Sequence, residues 1–351
     1  MVSRAKKVGY AVVGLGAIAQ SSVLPAFGHT NRAKLVALVS RDRYKAAKLA
    51  RKFGANAFYA NDEFAACLAN PDVAALYIAT PPGDHLEWTE RAARAGKHVL
   101  CEKPLAATPE QSLQMVEACR RAGVLLMTAY RKHFEPSTLY LKKLITNGGL
   151  GRIDFIHTSF SELPKPPAMP VWLLDKRLAG GGPLMDLGIY CVNTSRFLVD
   201  EDPVEATAHA WRHHAVRFTE VEEGIAFRLR FPSGMFVQGA STYAAAPSSF
   251  VYVQGSKGWI SLTPAFPFDE ERRVWGKVAG RPLQRTFKLL DEFAPEIDAF
   301  SAAIQGGKRV AADGAQGHRD MIILRAIYQS AQDQRPIAIR YDDSLTRSRA
   351  G

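Results

Sequence analysis

Val8-Gly9-Tyr10-Ala11-Val12-Val13-Gly14-Leu15-Gly16-Ala17-Ile18-Ala19 is an apolar run that breaks into G-x-G-x-x-A. A short apolar run suits a parallel strand buried on both faces. Gly14 permits a tight turn, Gly16 lets the backbone approach a pyrophosphate, and Ala19 is small enough for close packing of helix on strand. Free N–H groups at the start of the next helix favour an anion. Glycines also occur in ordinary turns, so the motif alone is weak; its place between a strand and a helix supplies the required context. Gly14, Gly16, Ala17 and Ile18 are therefore expected to bind a dinucleotide.

Outward from this turn, strand and helix patterns alternate. Lys34–Ser40 is a second strand, and a helix over Tyr44–Phe53 stops at Gly54. Val73–Thr80 is a third strand, Asp84–Ala95 a helix, and His98–Cys101 a fourth strand. Thr108-Pro109-Glu110-Gln111 starts a helix that ends near Gly123, and Val124–Ala129 is a fifth strand. Such alternation implies a parallel sheet with helices on both faces. After residue 130 the pattern changes. A helix (Pro136–Thr146), a strand (Ile153–Phe160) and a proline-rich loop (Leu163–Pro170) precede the turn Gly180-Gly181-Gly182-Pro183, which opens a helix to about Val199. Short strands follow at Val204–Trp211, Ile225–Phe231, Met235–Tyr243, Phe250–Gln254 and Trp259–Leu262, and helices return near Ala294–Ile304 and Gly317–Gln332. The expected fold is α/β, with a Rossmann doubly wound parallel sheet over residues 1–129. Residues 130–351 form an α+β domain with a large open, mostly antiparallel sheet.

Bulk properties agree. At 351 residues, roughly 150 per domain gives two domains. Hydrophobic residues are 47% and charged residues 23%, ordinary for a globular chain. No apolar stretch nears the ~20 residues of a spanning helix, and the basic Met1–Tyr10 start lacks a secretory apolar region. A cytoplasmic location is expected, periplasmic only for a trimmed mature form. Cys67, Cys101, Cys119 and Cys191 have no metal-binding or redox spacing, so no metal is expected. The net charge of +11 is spread along the chain and not gathered into a nucleic-acid-binding stripe; it suits anionic ligands or a solvated surface.

After the second strand, NAD binders place an acidic residue on the ribose 2′-hydroxyl. Here Ser40-Arg41 stands there. Ser40 can donate to a 2′-phosphate, Arg41 can pair with it and stack on adenine, and Lys45 can reach it. Asp42 lies two places late and reads as a helix cap. NADP(H) is the expected cofactor. Cys101-Glu102-Lys103-Pro104 follows the fourth strand at its carboxyl end, where open parallel sheets bind ligands. Glu102 and Lys103 are expected at the cofactor, although most lysines are simply exposed. Asp186 and Tyr190 lie four apart on a helix and so share a face. Tyrosine can pass a proton, and a nearby Lys⁺ favours its phenolate. Spacing alone leaves a core tyrosine and a solvated aspartate as the commoner outcome.

At these residues the chain resembles the glucose–fructose oxidoreductase/inositol dehydrogenase/rhizopine-catabolism (Gfo/Idh/MocA) family. The stretches are Gly14–Gly16, Ala95–Pro104, Tyr130-Arg131-Lys132-His133-Phe134-Glu135-Pro136 and Leu178–Tyr190; the last two look like the glucose–fructose oxidoreductase branch. The resemblance implies a Rossmann domain and an open-sheet domain that forms a homodimer or homotetramer through its sheet. It implies that Lys103 orients a sugar and that Tyr190 is the acid–base at the sugar C1 oxygen. Asp186 would bind a sugar hydroxyl, and Tyr243 would close over the substrate. Thr80, Pro81, His85, Arg131 and Trp172 would line the cofactor. The branch carries Arg after that tryptophan, whereas this chain has Leu173, with Arg177 as the substitute. The implied activity is oxidation of an aldopyranose to an aldonolactone. NADP(H) would either stay bound and reduce a second sugar to a polyol, or dissociate as in a plain aldose 1-dehydrogenase. A non-catalytic NADP sensor is a third reading, one that would not need Lys103 and Tyr190.

Overall fold

The computed structural model describes residues 6–163, 169–306 and 310–341. Part of the basic N-terminal segment and most of the proline-rich loop thus lie outside the described residues. The chain divides into two compact units. One runs to Ala106 and takes in Glu110–Arg131 and Asp291–His318; the other holds Ala107–Pro109, Lys132–Leu290 and the chain from Arg319 onward.

The first unit is a six-stranded, wholly parallel sheet. Its strands are β1 (Val8–Val13), β2 (Ala33–Ser40), β3 (Ala57–Ala60), β4 (Ala75–Ile78), β5 (His98–Glu102) and β6 (Leu126–Ala129), in the order β3-β2-β1-β4-β5-β6. The helices between them are α1 (Leu24–Ala26), α2 (Arg43–Phe53), α3 (Phe64–Ala69), α4 (His85–Arg94) and α5 (Pro109–Arg121). Every residue of β1 is buried, as a strand covered on both faces requires. The strand order reverses between β1 and β4, so the carboxyl ends of these two strands form the topological switch point where such sheets bind ligands.

The second unit opens with α6 (Pro136–Thr146), β7 (Ile153–Ser161), α7 (Lys176–Ala179) and α8 (Ile189–Val199). It continues through β8 (Glu205–Trp211), β9 (Gly224–Arg230), β10 (Phe236–Thr242), β11 (Ser248–Gly255), β12 (Gly258–Thr263), β13 (Arg272–Val278), β14 (Arg281–Phe287) and β15 (Ile337–Ala338). These strands form one nine-stranded sheet, β14-β13-β12-β11-β7-β10-β9-β8-β15. Only the central β7–β10 pair is parallel. In β9, Ile225, Phe227 and Leu229 are buried while Arg228 and Arg230 are exposed, the alternation of a sheet packed on one face. α8 packs against β7 and β10.

Two further helices lie between β14 and β15, α9 (Phe293–Ile304) and α10 (Gly314–Asp333). The sequence-based boundary at 129/130 assigned both to the second domain, but Asp291–His318 belongs to the first unit. The cause is the apolar face of α9, where Phe293, Ala294, Ile297 and Phe300 are buried and the helix packs on β2 and β5. All four cysteines are buried and free. Among the described residues no His/Cys/Asp/Glu cluster could hold a metal ion, and no helix is long and apolar enough to cross a membrane.

Candidate functional site

In the first unit the chemistry gathers at the carboxyl ends of the parallel strands. Gly14 has φ of +87°, which side-chain-bearing residues rarely adopt, and a Cβ there would lie 2.6 Å from the Ala79 carbonyl oxygen and 2.8 Å from the Thr80 nitrogen. Gly16 is different: a Cβ there would have no protein atom within 4 Å. Gly16 and Ala17 are exposed and Ile18 half-buried. The helix that follows opens with a π turn over Ala19–Val23 before α1. Beside this turn the Thr80 hydroxyl is buried and has no hydrogen-bond partner among the described residues. An open glycine next to an unsatisfied hydroxyl at the switch point fits a dinucleotide phosphate.

The end of β2 separates its two polar groups as the sequence predicts. Asp42 caps α2, accepting from the Lys45 backbone N–H at 2.9 Å, while Arg41 is exposed and Lys45 half-buried. The Ser40 hydroxyl accepts the Asp42 N–H at 3.2 Å and is nearly buried.

Three residues expected at the cofactor are instead internal. His85 is completely buried, with Nε2 2.8 Å from the Thr80 carbonyl and Nδ1 3.1 Å from that of Leu105. Burial depresses its pKa against the pull of these carbonyls; the ring holds the Thr80 loop from behind and presents no surface to a ligand. Arg131 is 5% exposed and its guanidinium donates to Glu292 at 2.5 Å. Glu102 accepts from the Tyr77 hydroxyl at 2.8 Å and from the Lys103 N–H at 3.2 Å. Burial pushes the Glu102 carboxyl up against the pull of Lys103 and Tyr77. Pro81 and Lys103 are half-buried, and Lys103 follows directly on β5.

In the second unit the candidate residues meet at the start of α8. The helix expected from Gly180 begins instead as a π turn, Leu184–Gly188, before regular α geometry takes over at Ile189. Asp186 lies in the π turn and Tyr190 in the first turn of α8. π turns recur at functional sites because they change which residues share a face. Tyr190 is half-buried against Phe160 and Phe266, with ring centroids 5.7 and 5.6 Å away. Tyr243, expected to close over a substrate, is 2% exposed, and its hydroxyl donates to Asp186 Oδ2 at 2.9 Å. It holds Asp186 from within the fold. Trp172 is half-buried in a single 3₁₀ turn, Val171–Leu174, where Leu173 is buried. Arg177 is exposed on α7, 3.8 Å from Asp175.

The residues that shape this helix start escaped the sequence. Glu222 is 5% exposed; its Oε2 accepts the Gly182 N–H at 2.9 Å, and its Oε1 accepts the Leu184 N–H at 3.0 Å and the Tyr328 hydroxyl at 2.9 Å. The one available signal was two acidic residues, Glu222-Glu223, set directly before an apolar strand and opposite a run of three glycines whose neighbour had to be found.

A six-stranded parallel sheet with an open phosphate turn, joined in one chain to a large open sheet, defines a dinucleotide-binding oxidoreductase of two parts. Family models agree. Residues 8–130 match the oxidoreductase family with an NAD-binding Rossmann fold, and residues 138–261 match the GFO/IDH/MocA C-terminal domain. The chain belongs to the Gfo/Idh/MocA oxidoreductase family. It is 32% identical to a protein of Haloarcula marismortui named D-xylose 1-dehydrogenase [NADP(+)], over 95% of this chain and 93% of that one. It is 31% identical to a D-xylose 1-dehydrogenase (NADP(+)) 2 of Haloferax volcanii, over 92% and 97%. Among solved structures, an aldose-aldose oxidoreductase from Caulobacter crescentus complexed with glycerol superposes with a TM-score of 0.90 at 34% identity, over 95% of this chain and all of that one.

Proposed function

We propose that this oxidoreductase uses NADP(H) and oxidises an aldopyranose at C1 to an aldonolactone, with Tyr190 as acid–base. The observation that carries the reading is the start of α8: Tyr190 is half-buried there, four residues from an Asp186 carboxylate that Tyr243 holds in place. Exposed Arg41 at the end of β2, with Asp42 spent on a helix cap, supports NADP over NAD. The names of the xylose dehydrogenases support both cofactor and sugar C1.

When bound, NADP⁺ supplies the two-electron acceptor for the hydrogen leaving C1. Tyr190 takes the proton of the C1 hydroxyl as C1 becomes the lactone carbonyl. Asp186, fixed by Tyr243, accepts from a neighbouring sugar hydroxyl and orients the ring. Lys103 binds the sugar as a cation. Gly14, Gly16, Ala17, Ile18, Ser40, Arg41, Lys45, Thr80 and Pro81 hold the cofactor, with Trp172 and Arg177 as further contacts. Orientation and acid–base transfer are the two sources of rate, the latter about 10²–10⁴-fold. The Tyr190→Phe variant is expected to lose about that factor in kcat for xylose or glucose with NADP⁺; a variant that turns over at the parent rate sinks the role. Assembly through the open face of the nine-stranded sheet is part of the same reading, and a monomer by light scattering would remove it.

The fate of the reduced cofactor separates two forms of the enzyme. Nucleotide that stays with the protein through gel filtration, and is reduced on adding aldose, supports sugar–sugar oxidoreduction. Nucleotide-free protein that needs added NADP⁺ supports a plain aldose dehydrogenase. No reduction with any sugar, even with NADP⁺ supplied, would overturn both.

A further inference from the structure

We propose that Glu222, which touches neither proposed substrate nor cofactor, is the positioning residue of the second unit's candidate site: its carboxylate closes the start of the π turn and so sets where Asp186 and Tyr190 point. The inference rests on the role given above to Tyr190.

The geometry begins with Pro183, which has no N–H. The backbone donors flanking it belong to Gly182 and Leu184, and neither has an acceptor within the helix. A carboxylate has two oxygens, and those of Glu222 take one donor each, at 2.9 and 3.0 Å. The Tyr328 hydroxyl adds a third donor at 2.9 Å and fixes the carboxylate from the α10 side. The glycines of the turn are what permit this approach. A Cβ on Gly182 would overlap the Glu222 carbonyl oxygen and lie 2.9 Å from its carboxyl carbon, and one on Gly181 would overlap the Tyr328 hydroxyl.

The next residue completes the clamp. The Glu223 carbonyl accepts the Tyr243 N–H at 3.0 Å, and Tyr243 in turn donates to Asp186. Two consecutive residues ahead of β9 therefore grip the catalytic helix at its backbone start and, through Tyr243, at Asp186. The π turn and α8 both pack on β7 and β10, so the clamp on the turn's start sets the register in which Asp186 and Tyr190 leave that sheet.

The test is Glu222→Gln, which keeps the shape but offers one acceptor where two N–H groups need one each. The expected result is a fall of about 10- to 100-fold in kcat for the aldose, per folded molecule, with the Kd of NADPH by fluorescence titration unchanged. Should Glu222→Gln fold poorly, Tyr328→Phe keeps the carboxylate and removes one donor; a smaller fall in kcat with the same unchanged Kd is expected. In a Tyr190→Phe background the effect of Glu222→Gln on kcat should shrink to the part that acts through Asp186, so the two changes are less than additive; full additivity counts against the inference. A purely structural role would lower the melting temperature and leave kcat per folded molecule at the parent value, which overturns the inference. Full loss of rate in Tyr190→Phe with full rate in Glu222→Gln rejects this inference alone; full rate in Tyr190→Phe rejects the reading beneath it.

Discussion

Each unit carries one glycine-rich turn that leads into a π turn, and the two use their glycines in opposite ways. At Gly14-Leu15-Gly16 the second glycine faces outward, with no protein atom within 4 Å of a Cβ placed on it. At Gly180-Gly181-Gly182-Pro183 the space over Gly181 and Gly182 is filled by Tyr328 and Glu222, and that over Gly180 by Met185 and Ala107. The first turn lacks side chains so that a ligand can reach the backbone; the second lacks them so that the protein's own side chains can. Glycine clusters at functional helix starts therefore need their neighbours checked before a ligand is assigned to them.

The widest separation should come from one methyl group placed in each turn. Gly182→Ala forces a Cβ onto the Glu222 backbone and is expected to cost about 3 kcal/mol, read by urea unfolding of the second unit's tryptophan fluorescence. Gly16→Ala should change stability by less than about 0.5 kcal/mol, as surface changes do, while weakening NADPH binding. Equal stability loss in the two variants would erase the contrast between them.

How far this contrast was readable in advance follows from distance along the chain. The turn at Gly14 is built by adjacent residues, and the strand before it and the Asp42 cap after β2 were visible as local pattern. The second turn is completed by Glu222 and Tyr328, which its sequence neighbours do not announce. Strands were missed for a related reason. β14, Arg-Pro-Leu-Gln-Arg-Thr-Phe at 281–287, is an edge strand exposed along most of its length, so it has no buried face to betray it. In β13 a buried position is held by Arg272, which breaks the apolar alternation. β3 is four residues long and only partly buried. The burial of His85, Arg131 and Tyr243 could not be read in advance, because sequence gives a residue's chemistry and not its depth.

A second variant asks whether the open turn serves a phosphorylated ribose. Arg41→Glu replaces an exposed cation with the acidic residue that NAD binders use. It should weaken NADPH by about 30-fold and leave NADH unchanged or tighter, since a charge-assisted hydrogen bond is worth roughly 2 kcal/mol. An unchanged ratio of the two Kd values would remove Arg41 from the cofactor site.

The smallest effect concerns how each unit buries acid. In the second unit Glu135 is held at about 2 despite burial, because Lys132, Ser137 and Arg272 favour its charged form. In the first unit Glu296 is completely buried on α9. Burial first, and then the carboxylates Glu102 and Glu292, push it well above the ordinary range, against Arg131 and Tyr77. A carboxyl raised in the folded state binds its proton more tightly there than in the unfolded chain. Its stabilising contribution is complete below the ordinary glutamate value and is lost as pH rises toward the folded value. Glu296→Gln keeps the protonated shape without that loss. The variant should match the parent near pH 4.5 and be more stable by about 1–2 kcal/mol at pH 8, as when a buried charge is replaced by a neutral group. A difference that is the same at both pH values would mean that Glu296 does not carry its proton in the fold. The Glu102–Lys103 strand end would then rest on a charged carboxylate, and the first unit would bury acid in the same compensated way as the second.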